Sequence, residues 1–279
     1  MLLTQKQLTS YKQDGYLVFE NFVNHDACDQ LRTRSAELID QFDASELISI
    51  FTTHEQNRIA DAYFLNSGDK IRFFFEENAF NPDGSLKQDK AHSINKIGHA
   101  LHDLDPVFDR FSRTTKLKEL VHDLGIHDPR LLQSMYIFKQ PNIGGEVNCH
   151  QDSTFLYTDP IDMVGLWFSL EDATIENGCL WAIPGGHKRG LKSRWVRAEN
   201  GGMEFVTYDA QPWPEDELVP LEVKKGSLIL LDGLLPHRSH ENRSTRSRHA
   251  YTLHVISANS KYPADNWLLR SSEMPLRGF

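Results

Sequence analysis

The sequence predicts a mainly β protein, a sandwich or barrel, with a supporting layer of helices from its N-terminal half. From about residue 128 the chain becomes a series of short β-like segments separated by Gly, Pro and Asn turns. Before that point most apolar residues recur at helical spacing. No linker or internal repeat divides the 279 residues. We therefore expect a single domain over 1–279, with helical support over 1–127, a β core over 128–258 and a tail over 259–279.

The N-terminal elements follow from local signals. A short helix over 8–13 should stop at Asp14-Gly15, and the apolar run 16–23 predicts a strand. Asn24 offers N-cap chemistry for a helix that continues to about residue 40. Apolar spacing predicts two more helices, over 93–104 and 106–124.

The second half contains eight predicted strands, which share short length, apolar content and flanking turn residues. They cover 131–139, 147–155, 164–170, 178–183, 218–223, 227–231, 235–239 and 248–256. Several short strands at this spacing are typical of a sandwich or a barrel.

Composition excludes several classes of protein. Lys and Arg number 30 against 39 Asp and Glu, so the net charge of −9 disfavours a nucleic-acid partner or an anionic membrane surface. No apolar run approaches the ~20 residues of a membrane span. The three cysteines lack a C-x-x-C spacing, which disfavours a disulfide framework or a cysteine zinc site. The terminus Arg-Gly-Phe279 is not a peroxisomal address, so we expect a cytoplasmic protein.

His150 and Asp152 are the first candidates for chemistry. They lie two positions apart in the predicted strand 147–155, so their side chains should share one face. An imidazole and a carboxylate are two of the three donors that hold non-haem Fe(II) with open coordination positions. The pair alone is a weak signal, because H-x-D also occurs by chance.

A third ligand would come from another strand. His237 and His240 are the candidates, since both follow the apolar segment 227–231. The cationic stretch 243–248 comes next. An inward Arg there could hold a carboxylate through charge-assisted hydrogen bonds of about 1.5–3 kcal/mol each. An α-keto-acid co-substrate needs such a partner at the end that does not bind metal.

At this point the sequence resembles a known family, the phytanoyl-CoA dioxygenase family of Fe(II)- and 2-oxoglutarate-dependent oxygenases. The resemblance covers nearly the whole chain. Its blocks are FLNSGDKIRFFFE (64–76), SINKIGHALHDLDPVF (93–108), QSMYIFKQP to HQD and FLYT (133–158), EDATIENGCLW (171–181) and RSRHAYTLH (246–254). The resemblance implies a double-stranded β-helix, also called a jelly roll or cupin-like fold, with the metal on its inner face.

The resemblance also assigns roles. His150, Asp152 and His237 match the family's iron ligands, and Arg248 matches the Arg that holds the far carboxylate of 2-oxoglutarate. His237 is preferred over His240 because the family's Arg lies eleven residues after the distal His. Five further positions fall where relatives line the co-substrate pocket: Lys96, Met135, Gln151, Trp167 and Arg246. Met135 and Trp167 could equally be core, and Lys96 could be a solvated helix residue.

The implied reaction is hydroxylation of a small or lipid-like substrate by O₂, with Fe(II), 2-oxoglutarate and ascorbate as reductant, and with release of succinate and CO₂. The alternative enzyme class is a zinc-dependent lyase, isomerase or hydrolase. Arg248 argues against it, because such chemistry does not need a residue that holds a keto acid. A second alternative is a metabolite-binding jelly-roll protein without catalytic activity. Such a protein would be expected to have an incomplete triad, whereas the triad here is complete. A monomer is the default. The basic cluster 188–197 is interpreted as a solvated loop, so a CoA substrate is not carried over.

The remaining histidines receive no metal role. His99 and His102 would share a helix face as a structural pair, because no third ligand accompanies them. An acidic chain that binds an anionic co-substrate must concentrate positive charge locally. We expect that charge at Arg246 and Arg248.

Overall fold

The structure, a computed structural model, describes residues 1–43, 50–51, 62–199 and 201–279. The α-helices of these residues are α1 (Gln5–Asp14), α2 (His25–Gln41), α3 (Ala62–Leu65), α4 (Leu101–Leu104), α5 (Pro106–Ser112) and α6 (Thr115–Asp123). The first strands are β1 (Tyr16–Phe19), β2 (Ile50–Phe51), β3 (Ile71–Glu76), β4 (Ile94–His99), β5 (Pro129–Ile137), β6 (Val147–His150) and β7 (Val164–Ser169). The later strands are β8 (Leu180–Ala182), β9 (Ser193–Arg197), β10 (Met203–Thr207), β11 (Val219–Leu221), β12 (Leu228–Asp232), β13 (His237–Ser239) and β14 (Ala250–Ser257).

Within the described residues, eight strands form one sheet in the order β1-β12-β7-β14-β5-β4-β3-β2. A second sheet of four strands has the order β11-β8-β13-β6, and β9 pairs with β10 alone. The pairs among the described strands are antiparallel except for β2 with β3. Side chains from both sheets share one apolar cluster, in which Trp167 and Ile229 of the large sheet meet Leu180 of the small one. The two sheets therefore enclose a common interior, which is the predicted sandwich.

Local chemistry sets the helix ends, and α1 begins at Gln5 and not at the predicted residue 8. Thr4 caps α1, where its side chain accepts from the Gln7 amide while Gln7 bonds back to the Thr4 amide. Gly15 ends the helix with φ 81°, a left-handed conformation that favours glycine. Asn24 caps α2, as predicted, by accepting from the Ala27 amide at 2.7 Å.

The predicted helix over 93–104 is wrong for its first half. Residues 94–99 form β4, which lies between β3 and β5 with all six residues buried. A strand covered on both faces shows no alternation of polar and apolar residues, so its pattern can match helical spacing by accident. The predicted helix over 106–124 is two helices, because Thr114 caps α6 and ends the preceding segment.

The C-terminal tail packs against the N-terminal half. Trp267 and Leu268 are buried, and Arg270 and Arg277 both bind the carboxylate of Asp103. The division of the chain into support, core and tail stays a prediction. Among the described residues, no helix has the length and apolar character needed to cross a bilayer.

Candidate active site

The candidate site forms where the small sheet meets a tight turn. β6 ends at His150, and a 3-10 turn over Asp152–Thr154 replaces the predicted continuation of the strand. The Asp152 carbonyl accepts from the Phe155 and Leu156 amides, which turns the chain. The strand rule that predicted a shared face therefore does not apply beyond His150. Asp152 approaches the histidine because the chain turns there.

His237 completes the set from a neighbouring strand. Its Cα is paired directly with that of His150 across β13 and β6. The Asp152 Oδ1 atom lies 3.5 Å from His150 Nε2 and 3.7 Å from His237 Nε2. One donor atom from each of the three residues lies within 4.8 Å of the others. Two imidazoles and a carboxylate thus converge in a geometry that one metal ion could bridge.

Hydrogen bonds prepare both imidazoles for a metal. His150 Nδ1 lies 2.7 Å from the Asn148 carbonyl, and His237 Nδ1 lies 3.0 Å from the Leu235 carbonyl. A carbonyl only accepts, so each Nδ1 carries the proton and each Nε2 keeps its lone pair. Burial lowers the pKa of His237 to about 4, which keeps this ring neutral near pH 7.

Asp152 is the anionic member of the set. Burial opposes its ionisation, but the neighbouring His237 and His254 outweigh burial and hold the pKa of Asp152 well below its usual range. His254 was not predicted as a site residue. It lies on β14 with its Nε2 atom 3.3 Å from Asp152 Oδ2, so it can orient the carboxylate. Strand alternation could have identified His254 from the sequence. If the strand is continued from Arg248, positions 248, 250, 252 and 254 share a face.

Arg248 lies buried at another wall of the cavity. Its Nε atom donates to the Gly178 carbonyl at 3.0 Å, and its guanidinium lies 5.1 Å from the centre of the Trp167 ring. Its Nη1 atom has no hydrogen-bond partner among the described residues. Burial lowers the pKa of Arg248 to about 10, so the side chain is charged at neutral pH. A buried cation with a free donor is a site for an anion.

The cavity concentrates positive charge, as expected, and Arg248 contributes to it, whereas Arg246 does not line the cavity. Its volume is about 190 Å³. The described charged residues in its wall are the cations Lys96, Lys139, Arg238 and Arg248 and the carboxylate Asp152. Lys139 was not predicted as a site residue, and it lies in the loop that follows β5. Burial, aided by the charge of Arg248, lowers the pKa of Lys139 to about 7.

The predicted pocket residues divide into two groups. Lys96, Met135 and Trp167 line the cavity. Gln151 does not, because its amide donates to the Gly190 and Leu234 carbonyls and its oxygen accepts from the Lys192 amide. The Gln151 side chain thus links the turn at Asp152–Thr154 to the segments that contain Gly190 and Leu234.

Arg246 also lies outside the cavity that holds the triad. It is exposed, 3.6 Å from Glu176, and borders a separate surface depression. The prediction for Arg246 rested on resemblance alone, and residues 243–247 form a turn in which Ser244 and Asn242 bind the Arg246 backbone. His240 is exposed as well.

The predicted structural pair of His99 and His102 is separated. His102 lies on α4, bonded to Ser134 and Arg270. His99 ends β4 and reaches the cavity.

Comparison with known proteins agrees with the geometry. The sequence pattern of the phytanoyl-CoA dioxygenase family matches residues 11–250. A phytanoyl-CoA dioxygenase of Arabidopsis thaliana is 51% identical over 98% of this chain and 95% of the relative. Phytanoyl-CoA dioxygenase domain-containing protein 1 of Mus musculus is 44% identical over 98% of this chain and 97% of the relative.

Solved structures confirm the predicted jelly-roll fold. EctD from S. alaskensis with bound Fe matches with a TM-score of 0.68 at 18% identity, over 99% of this chain and 86% of EctD. The complex of EctD with 2-oxoglutarate and 5-hydroxyectoine matches with a TM-score of 0.64 at 19% identity, over 94% of this chain and 79% of that one. The chain therefore belongs to the phytanoyl-CoA dioxygenase family of non-haem Fe(II)- and 2-oxoglutarate-dependent oxygenases.

Proposed function

We propose that this enzyme hydroxylates a C–H bond of a small, mainly apolar molecule, and that Fe(II) and 2-oxoglutarate bind in the cavity between its two sheets. The balanced reaction consumes the substrate, O₂ and 2-oxoglutarate and releases the alcohol, succinate and CO₂. The observation that carries the proposal is the pairing of the triad with Arg248, whose Nη1 atom is buried without a partner among the described residues.

The residues present fit this metal and this co-substrate. His150, Asp152 and His237 offer two neutral imidazoles and one carboxylate, the donor set that suits Fe(II) with open positions. Arg248 offers a buried cationic donor for a carboxylate, and Lys139 adds charge near it. Bound iron and 2-oxoglutarate would supply the oxidising chemistry, which no side chain of the site supplies itself.

The protein's own contribution is orientation and exclusion of water. The Asn148 and Leu235 carbonyls fix the tautomers of the two imidazoles, and His254 orients the carboxylate of Asp152. Arg248 would hold the far carboxylate of the keto acid, and Trp167 packs beneath the guanidinium. Phe155 lies against the His150 ring at a centroid distance of 5.9 Å and shields that side of the site.

The basic cluster after the Pro-Gly-Gly-His turn does not favour a CoA ester. Its side chains are bound within the chain: Lys188 to Gln13, Arg189 to Glu217, Lys192 to Asp209, Arg194 to Asp265, and Arg197 to the Leu65 and Trp267 carbonyls. A phosphate group would have to compete with these partners. We therefore propose a substrate without the CoA moiety.

The test is conversion of 2-oxoglutarate to succinate in the presence of Fe(II), O₂ and ascorbate. The assay follows succinate formed in the absence of primary substrate, so the substrate need not be known. We expect wild type to form succinate and His150→Ala or His237→Ala to form none. His240→Ala is the matched control and should retain the wild-type rate, because His240 is exposed and outside the triad.

Two outcomes would contradict the proposal. The first is a wild-type protein that binds neither Fe(II) nor 2-oxoglutarate in a calorimetric titration. The second is equal loss of metal in the His237 and His240 variants, which would place the site elsewhere. A hydrolytic or lyase reaction that requires Zn²⁺ and ignores 2-oxoglutarate would favour the alternative enzyme class.

A further inference from the structure

His99 is a fully buried histidine in the wall of the triad cavity, outside the triad itself. Its Cα pairs with Ser134 of β5, whereas Lys96 of the same strand pairs with Ile137. Ile137 in turn pairs with Ala250, two residues from Arg248. His99 is thus three residues along β4 from Lys96, on the side away from Arg248. At ~3.3 Å per residue, this separation is about 10 Å along the strand.

The tautomer of His99 follows from its neighbour Ser67. The Ser67 hydroxyl has one proton, and it donates this proton to the Phe64 carbonyl at 2.5 Å. Its oxygen lies 2.7 Å from His99 Nδ1, so it must accept from Nδ1–H. His99 Nε2 is therefore a bare acceptor. Burial lowers the pKa of His99 well below its usual range, so the ring stays neutral.

Among the described residues, none forms a hydrogen bond with His99 Nε2. The ring is held in place by aromatic neighbours, with centroid distances of 5.4 Å to Phe64, 5.5 Å to Phe74 and 5.1 Å to Trp267. A buried acceptor left unpaired is costly, and a fixed one that borders a cavity is suited to a ligand.

An aromatic wall, formed by Phe155, Trp195 and Trp267, connects the triad to His99. The Phe155 ring contacts His150 at 5.9 Å and Trp195 at 5.9 Å. Trp195 contacts Trp267 at 6.1 Å, and Trp267 contacts His99. An apolar molecule that lies along this wall therefore has one end near the triad and the other near His99.

We propose that His99 Nε2 accepts a hydrogen bond from a neutral O–H or N–H group of the primary substrate, whose apolar body lies against the aromatic wall. This inference rests on the proposed function and adds a substrate class to it: a mainly apolar alcohol or amide. A cationic donor is disfavoured, since Lys96 borders the same space. The keto acid is not the donor, because it bears no O–H or N–H when ionised and would lie between Arg248 and the metal.

The experiment compares probes that differ only in the donor. Benzyl alcohol with benzyl methyl ether tests an O–H group, and benzamide with N,N-dimethylbenzamide tests an N–H group. Each is titrated into protein loaded with Ni(II) and 2-oxoglutarate, with tryptophan fluorescence as the readout. Wild type should bind a donor probe about fivefold more tightly than its blocked partner, the effect of one neutral hydrogen bond. His99→Phe keeps an aromatic ring but no acceptor, so the ratio should fall to about one.

His240→Phe is the matched control and should keep the wild-type ratio, since His240 is exposed. Nitrogen-15 NMR of wild type provides a second test that needs no folded variant. It should show a protonated Nδ1 and a bare Nε2 for His99, with an Nε2 signal that moves on addition of benzyl alcohol but not of the ether. Equal binding of donor and blocked probes by wild type would overturn the proposal, as would the opposite tautomer.

The two proposals fail in different ways. If wild type binds no 2-oxoglutarate but keeps the donor preference, the oxygenase function is refuted and the His99 subsite stands as a binding site. If wild type forms succinate but shows no donor preference in either pair, the function stands and the role of His99 is refuted. Loss of Ni(II) binding in His99→Phe would assign this residue to the fold or the metal site and also refute the proposal.

Discussion

Replacement of Arg248 by alanine should weaken 2-oxoglutarate binding while metal binding survives. Arg248 is 2% exposed, and it touches none of the triad side chains in the described hydrogen bonds. Removal of one partner of a buried charge pair costs about 2–5 kcal/mol. At 1.4 kcal/mol per tenfold change, the dissociation constant should rise about 30- to 4,000-fold. Partial charge on Lys139, whose pKa lies at about 7, favours the lower part of this range.

The assay is calorimetric titration of 2-oxoglutarate into metal-loaded protein, together with the KM for 2-oxoglutarate in succinate formation. Arg248→Lys keeps the charge but not the planar fork, so it should lose less affinity than Arg248→Ala. Arg246→Ala is the matched control, because Arg246 is exposed and borders a different depression. Binding within about threefold of wild type for Arg248→Ala, or a parallel loss of metal, would refute the assigned role.

Three other predictions concern the metal donor set and the tail. Gly165→Ala should weaken Fe(II) binding, measured by calorimetry, because a Cβ there would lie 3.2 Å from Asp152 Oδ2; an unchanged affinity would show that the carboxylate can move freely. Metal at 100 times its dissociation constant should stabilise the wild type by about 2.7 kcal/mol in thermal unfolding, and His237→Ala should abolish the rise in Tm; a rise retained by this variant would contradict the triad. Asp103 has a lowered pKa, because His102, Arg270 and Arg113 outweigh the opposing effect of burial. Its contribution to stability should thus be complete above the ordinary carboxyl pKa of about 3.9 and decline as pH falls below that value. Asp103→Asn should therefore lower the free energy of unfolding by about 3–5 kcal/mol at pH 7 and flatten the acid side of a plot of urea midpoint against pH. A variant profile parallel to that of wild type would refute this source of acid sensitivity.

Residue chemistry within short segments predicted a large part of the site. His150, Asp152 and the stretch that contains His237 were identifiable because the H-x-D pair and the spacing from the later His to Arg248 match a family. Lys96, Met135 and Trp167 were placed by resemblance, and the cavity contains them.

The sequence did not specify the positions of two pocket candidates or the type of one buried segment. Gln151 and Arg246 were also placed by resemblance, but they lie in or next to turns, where a local alignment does not determine the direction of a side chain. The helix predicted over 93–104 was wrong at 94–99, because burial on both faces removes the periodic signal.

By itself, then, the sequence determined the β-rich class, the helix cap at Asn24, the candidate metal donors and the family, because each depends on residue types at short spacing or on long matched blocks. Only the tertiary structure decided that His254 contacts Asp152, that Lys139 adds charge near Arg248, and that the acceptor of His99 is bare. These features join residues that are 32 to 109 positions apart, and such contacts depend on strand pairing and burial, which local patterns do not specify.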